Sequence, residues 1–193
     1  IERIDTDKRT VIAEGGRAFG YDRLLLATGA EPIHLKIPGV DRGHVFVLRS
    51  LADSRAIIDN IQHAKSAVVL GAGFIGLEVA AALRSRDLAV HVVTQDSRPF
   101  EHILGPDLGD FIRAVHEEHG VSFHLDTTIG TINDKTVILT NGRELEADMV
   151  IIGVGVRPRV ELASASGLTV DQGIVVNEYL ETNVPGVFAA GDA

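Results

Sequence analysis

Ser66-Ala67-Val68-Val69-Leu70-Gly71-Ala72-Gly73-Phe74-Ile75-Gly76-Leu77-Glu78 is the stretch that decides the fold. A short apolar strand over 66–70 runs into G-x-G-x-x-G, and the periodicity beyond it predicts a helix over 74–86. Each glycine answers a different need. Gly71 permits the tight turn from strand to helix, Gly73 lets backbone approach a pyrophosphate, and Gly76 lets the helix pack closely on the strand. The first turn of that helix, from Phe74 and Ile75, turns free N–H groups and the positive dipole end toward phosphate. In a chain with 20 glycines the pattern alone would be weak. Its setting makes it specific, because Val90–Val93 within 89–94 supplies a second parallel strand and completes a βαβ unit. The unit is expected to bind the pyrophosphate of a dinucleotide, NAD(H) or NADP(H).

The end of the second strand should discriminate between the two nucleotides. An acidic side chain there accepts hydrogen bonds from the adenosine ribose and repels a 2′-phosphate. The run Val92-Val93-Thr94-Gln95-Asp96-Ser97-Arg98 has Thr94 at that place. Asp96 can substitute from the loop, or Arg98 can meet a 2′-phosphate, or both can be solvated loop charges. The balance tips only slightly to NAD(H).

Working outward, residues 3–12 and 17–27 read as strands joined by a turn at Glu14-Gly15-Gly16, and 30–42 as a connector with Pro32, Pro38 and Gly39. Ser50 is placed to cap a helix, with Asp53 three residues on and Leu51, Ile57, Ile58 and Ile61 sharing a face. A further helix is expected from about Asp107 to His119, its apolar face formed by Leu108, Phe111, Ile112 and Val115 and its stop by Gly120. Val121–Leu125 reads as a strand, followed by a meander turning at Asn141-Gly142 and the apolar strand Met149–Gly153. One repeat organises all of this. Thr10-Val11, Gly16-Arg17, Asp22, Gly29 and Pro32 recur at constant offset as Thr136-Val137, Gly142-Arg143, Asp148, Gly155 and Pro158. Two similar hairpins would satisfy the match, but two related nucleotide-binding domains, each with a meander feeding a central strand, explain it more fully.

Composition closes several routes. A formal net charge of −9 is a poor balance for gripping a nucleic acid backbone. No apolar run approaches the roughly 18 to 20 residues of a membrane span. With no cysteine the chain has no disulfide, thiolate nucleophile or redox thiol pair, which fits a reducing, cytoplasmic setting. His116, His119 and His124 invite a metal reading, but Glu117 and Glu118 beside them favour a solvated helix face, and no metal is expected. The chain opens at Ile1 and ends on Gly191-Asp192-Ala193 after the apolar run Val187–Ala190, and reads as an excised piece of a longer protein.

With Leu26-Ala27-Thr28-Gly29-Ala30, the Gly71–Glu78 loop, Ile152–Pro158 and Thr182–Asp192 in hand, the chain resembles the FAD-dependent pyridine nucleotide-disulfide oxidoreductases. It is most similar to the ferredoxin reductase and apoptosis-inducing-factor-like branch, which lacks a redox disulfide. The resemblance implies an α/β, three-layer FAD/NAD(P)-binding fold of Rossmann type, with parallel sheet, helices and β-meander. It implies an NAD(P)H domain over 36–155 inserted between FAD-domain pieces, 1–35 and 156–193, the FAD domain's own glycine fingerprint lying outside the chain. By the same resemblance Asp192 would bond the flavin's ribityl chain, and Thr28 and Gly29 would lie along the FAD. Glu78 would stand near the nicotinamide, as the residue assigned to catalysis, and Gly153 and Gly155 would admit backbone to that end. Relatives often carry an arginine where this chain has Ile33. The implied activity is hydride transfer from NAD(P)H to FAD and onward electron transfer to an iron–sulfur or other small redox protein. Reduction of a disulfide, peroxide or oxygen, or a non-enzymatic redox-signalling role, is the alternative.

Overall fold

In the computed structural model, which describes all 193 residues, the chain opens on five short strands. They are β1 (Arg3–Asp5), β2 (Thr10–Ile12), β3 (Ala18–Gly20), β4 (Leu24–Leu26) and β5 (Ala30–Pro32). Next come β6 (Val45–Val47), α1 (Leu51–Ile61), β7 (Ser66–Leu70), α2 (Phe74–Arg84), β8 (Ala89–Val93), α3 (Glu101–Glu118) and β9 (Val121–His124). They are followed by β10 (Ile129–Ile132), β11 (Thr136–Leu139), β12 (Glu144–Glu146), β13 (Met149–Ile152) and β14 (Val156–Pro158). The series is completed by α4 (Glu161–Ala165), β15 (Val170–Asp171), β16 (Gly173–Ile174) and β17 (Val187–Ala189). Contacts divide the chain into two units, one of Pro32–Gly155 and one of Ile1–Glu31 with Val156–Ala193.

The larger unit is built on a five-stranded sheet of order β6-β13-β7-β8-β9, parallel throughout. Parallel strands are covered on both faces, which is why Ser66–Leu70 and Met149–Ile152 are buried along their whole length. Alternation sorts their side chains. Ala67, Val69, Val92, Met149 and Ile151 pack with Leu77, Ala80 and Leu83 of α2, whereas Val68, Leu70, Val93, Val150 and Ile152 pack with Ile129, Ile132, Val137, Leu139 and Leu145 of the β10-β11-β12 meander. Helices, parallel sheet and meander are thus three layers, and each fully buried Val or Leu contributes about 1.5–3 kcal/mol. From β7 the chain winds outward through β8 to β9 and returns to β13 on the other side of β7, so the strand order reverses between β7 and β13.

Local chemistry fixes the ends of these elements. Ser50 accepts from the Asp53 N–H while the Asp53 carboxylate accepts from the Ser50 N–H, a reciprocal cap on α1. At the amino-terminal ends of the inner strands β7 and β13, Asp148 accepts from the backbone N–H groups of Lys65 (2.8 Å) and Ser66 (3.1 Å) and from Lys135 Nζ (2.7 Å). The Lys135 hydrogen bond, with those backbone donors, holds its carboxyl down at about 2.

The smaller unit has a β1-β2-β3 meander, the parallel pair β4 and β17, and a core of Ile4, Leu26, Ala163, Leu168, Ile174, Val187 and Ala189. The repeat is structural. Each copy is a three-stranded antiparallel meander (β1-β2-β3, β10-β11-β12), then a strand (β4, β13), then a glycine at positive φ (Gly29, 66°; Gly155, 108°), then Pro32 or Pro158 ending β5 or β14.

Some expectations need correction. The stretch 3–12 is two strands, because Asp5 accepts from Lys8 N–H and Arg9 turns at φ 49°; 17–27 likewise breaks into β3 and β4. The connector 30–42 contains β5, and the three-residue β6 is too short for periodicity to reveal. A helical turn at Glu101–Leu104 precedes the break at Gly105 (φ 76°) and Pro106, after which α3 runs as expected. Its expected inner face, however, is largely outside: Phe111 is 63% exposed, Leu108 47%, and Val115 is exposed too. The helix instead approaches on Gly109, where a Cβ would lie 2.5 Å from the Pro99 carbonyl oxygen. Leu51 and Ile58 of α1 are also exposed, leaving Ile57 and Ile61 to pack.

Candidate functional site

The three glycines of the loop differ in what demands them. Gly71 leaves β7 at φ +110°, and its N–H donates to the Val93 carbonyl (2.8 Å). A Cβ on Gly71 would lie under 3.0 Å from the Gly153 carbonyl, and one on Gly76 under 3.0 Å from the Gly71 carbonyl. The protein's own backbone therefore excludes a side chain at both. Gly73 has φ −89° and ψ −170°, extended backbone open to any residue, and no protein atom lies within 4 Å of a Cβ built there. Nothing in the chain requires a glycine at 73. Open space stands over it, at the N-terminus of an eleven-residue helix that no side chain caps. That is the arrangement a phosphate needs: unpaired N–H donors, a dipole end, and no Cβ in the way.

The other residues assigned to the nicotinamide side gather round this loop to different degrees. Gly153, at the end of β13, donates to the Leu70 carbonyl (2.8 Å) and so stands beside Gly71 at the reversal of strand order, where open α/β sheets bind ligands. Gly155 needs to be glycine for its φ of +108°. Phe74 and Ile75 are exposed on the first turn of α2, with the Phe74 ring 4.5 Å from that of Phe100. Glu78 lies on the next turn, exposed and with no hydrogen bond or ion pair. Thr94 is 5% exposed, and its hydroxyl is engaged with Asp96.

In the smaller unit Thr28, Gly29 and Asp192 stand just past the carboxyl ends of the paired parallel strands β4 and β17. Thr28 Oγ1 donates to the Arg159 carbonyl (2.8 Å), and the Gly29 carbonyl accepts from Arg159 N–H (2.9 Å). Glu31 forms ion pairs with Arg157 and Arg159, a cluster the sequence did not disclose. Ile33 is exposed.

Three histidines read as a solvated set do not come together. His119 Nδ1 donates to the Val115 carbonyl, His116 meets the edge of Phe123, and His124 Nε2 lies 3.1 Å from His91 Nδ1 on the neighbouring strand. The His91–His124 pair was not foreseen, although the β8–β9 register puts both rings on one side of the sheet. Burial, then mutual repulsion and Arg143, lowers His124 to about 4, and burial likewise lowers His91.

A parallel sheet with open space over an uncapped helix N-terminus, at the point where strand order reverses, defines a dinucleotide-binding fold of Rossmann type. Comparison makes this specific: the family model for pyridine nucleotide-disulphide oxidoreductases matches residues 1–193, and the chain belongs to that family. It is 41% identical over 197 residues to rhodocoxin reductase of Rhodococcus erythropolis, a match over 100% of this chain and 46% of the relative. A ferredoxin reductase from Rhodopseudomonas palustris superposes with a TM-score of 0.95 at 35% identity, covering 98% of this chain and 48% of that one. The covalent putidaredoxin reductase–putidaredoxin complex gives 0.93 at 36% identity, covering 98% and 48%. The chain spans between 24% and 51% of the length of the curated relatives it matches. No helix is long and apolar enough to cross a membrane.

Proposed function

We propose that this chain is the nucleotide-handling part of an FAD-dependent NAD(P)H oxidoreductase that passes electrons to a ferredoxin-, Rieske- or rubredoxin-type acceptor. The observation that carries the reading is the empty space over Gly73, the one loop glycine that the fold itself does not need. Pro32–Gly155 is the NAD(P)H-binding unit, and the flanking segments are parts of an FAD-binding unit. The Gly71–Gly76 loop and the first N–H groups of α2 hold the pyrophosphate. Gly153 and Gly155 leave room for the nicotinamide end, and Glu78, whose carboxylate is free of partners, holds the carboxamide. On the flavin side Gly29 and Thr28 line the cofactor, and Asp192 accepts from its ribityl chain. Bound flavin supplies the acceptor for hydride and the means of releasing electrons singly, while the protein supplies orientation and electrostatics. Relatives named as reductases of rhodocoxin and putidaredoxin support a small redox protein as acceptor. A cytoplasmic setting is proposed on the absence of cysteine.

The test is anaerobic addition of NADH to the FAD-bearing protein that contains this chain, followed by a [2Fe–2S] protein. Bleaching of the flavin and then reduction of the cluster are expected. Bleaching reversed by a disulfide or by oxygen, with the cluster untouched, would overturn the choice of acceptor.

A further inference from the structure

The segment that follows β8 is held against the glycine loop at both ends. Just before it, Val93 carbonyl accepts from Gly71 N–H (2.8 Å); at its far end, Phe100 N–H donates to the Ala72 carbonyl (3.4 Å). Everything from Thr94 to Pro99 is therefore carried beside the phosphate cradle. Within it, Thr94 is too deeply buried to meet a ligand. Its hydroxyl accepts from Asp96 N–H (3.2 Å) and donates to Asp96 Oδ2 (3.3 Å), folding the Asp96 carboxylate back over the strand end. Asp96 keeps 39% of its side chain exposed, with exposed His102 Nε2 3.4 Å from Oδ1 on the outer side. The competing cation lies toward another element, although its Nε makes no hydrogen bond there. Arg98 Nε lies 3.5 Å from Asp110, and its methylenes pack on Gly109, so the side chain leans on α3.

Resting on the reading of Gly71–Gly76 as a pyrophosphate loop, we infer that Asp96, positioned by Thr94, selects NADH over NADPH by bonding the adenosine ribose and repelling a 2′-phosphate. The strand-end acid of this fold is here split into two residues: a buried hydroxyl that positions and a loop carboxylate that reads.

Fluorescence or calorimetric titration of the full 193-residue chain with NADH and with NADPH tests this. The chain should bind NADH at least about tenfold more tightly, about 1.4 kcal/mol. Asp96→Asn should tighten NADPH by roughly that factor and weaken NADH by about threefold or more, because the charge that repels a 2′-phosphate is lost together with a charged acceptor for the ribose. Thr94→Val, which frees the carboxylate, should erode the preference without abolishing NADH binding, and Thr94→Ser should restore it. Arg98→Ala should leave NADPH unchanged. Equal affinity of the two nucleotides for the wild-type chain, or an Asp96→Asn variant no better with NADPH, overturns the inference while the loop assignment stands. Loss of NADPH binding in Arg98→Ala overturns it in favour of Arg98 as the reader. Failure of both nucleotides to bind removes the loop assignment itself, and this inference with it.

Discussion

Substituting the loop glycines one at a time separates those that serve the fold from the one that serves the ligand. Gly73→Val places a β-branched side chain on extended backbone that suits it, with no protein atom within 4 Å of its Cβ. Exchange at an N-cap that offers no side-chain bond should cost at most about 1 kcal/mol. In a chain of this size that moves the melting temperature by roughly 2–4 °C. The valine methyls would instead occupy the space over the uncapped N–H groups, and NADH affinity should fall at least about a hundredfold, some 2.7 kcal/mol. Gly76→Ala is the converse. Its Cβ would press on the Gly71 carbonyl at under 3.0 Å, with the side chain of Val69 3.6 Å away. Overpacking of that kind costs about 1–3 kcal/mol, so melting should drop by about 2–12 °C. Calorimetry with NADH and thermal melts of both variants give the four numbers. NADH binding by Gly73→Val at wild-type affinity would refute the argument, as would a Gly73→Val protein melting as low as Gly76→Ala.

Three other outcomes are expected. Asp148→Asn should cost about 1–2 kcal/mol at pH 7, read by urea denaturation. Because the Asp148 carboxyl is depressed to about 2, its contribution is present above the ordinary aspartate range and fades as pH falls toward 2. His124, lowered to about 4, is neutral when folded yet protonates once unfolded, so stability should decline as pH drops from about 6.5 toward 4, by on the order of 1–2 kcal/mol at pH 5. Melting curves of His124→Gln that keep the wild-type slope between pH 7 and 5 would show that this pair is not the cause. Finally, the 193-residue chain has one G-x-G-x-x-G and should take up one dinucleotide. Purified alone it should be colourless and inert toward ferricyanide while binding NADH, and a yellow preparation with stoichiometric FAD would contradict the assignment of its flanks.

How much was legible follows from how far apart the cooperating residues lie in sequence. The βαβ unit, the capping box at Ser50 and the repeated meander are local or periodic, and each could be read directly. The face of α3 could not, because apolar spacing shows that a helix has a stripe without showing whether anything covers it. Gly109, a residue with no side chain to signal burial, is what turns inward. In the candidate site the loop glycines were legible as a group. Their separate needs were legible too; the structure adds what excludes a side chain at two of them, the Gly153 carbonyl, remote in sequence, at Gly71 and the Gly71 carbonyl at Gly76. Thr94 and Asp96 differ in this respect: the sequence shows no acid at the strand end, and only the structure shows the Asp96 carboxylate held by the Thr94 hydroxyl.

The strand pair β5 and β14 has a consequence for how such a molecule is assembled. Arg159 N–H meets the Gly29 carbonyl and Ile33 N–H meets the Gly155 carbonyl, so the two strands run antiparallel and the first and last residues of Pro32–Gly155 are neighbours. Seen from the smaller unit, everything between Glu31 and Val156 is a detour that returns to its starting point. The entropy of closing a chain segment rises only with the logarithm of its length, about 0.6 kcal/mol per doubling. A host hairpin therefore tolerates an insert the size of a domain almost as readily as a long surface loop, provided the insert brings its own core and its ends together. Pro32–Gly155 meets both conditions, with its own two-sided sheet and its ends tied by one hydrogen bond. It is a cassette, and the hairpin it interrupts is the socket.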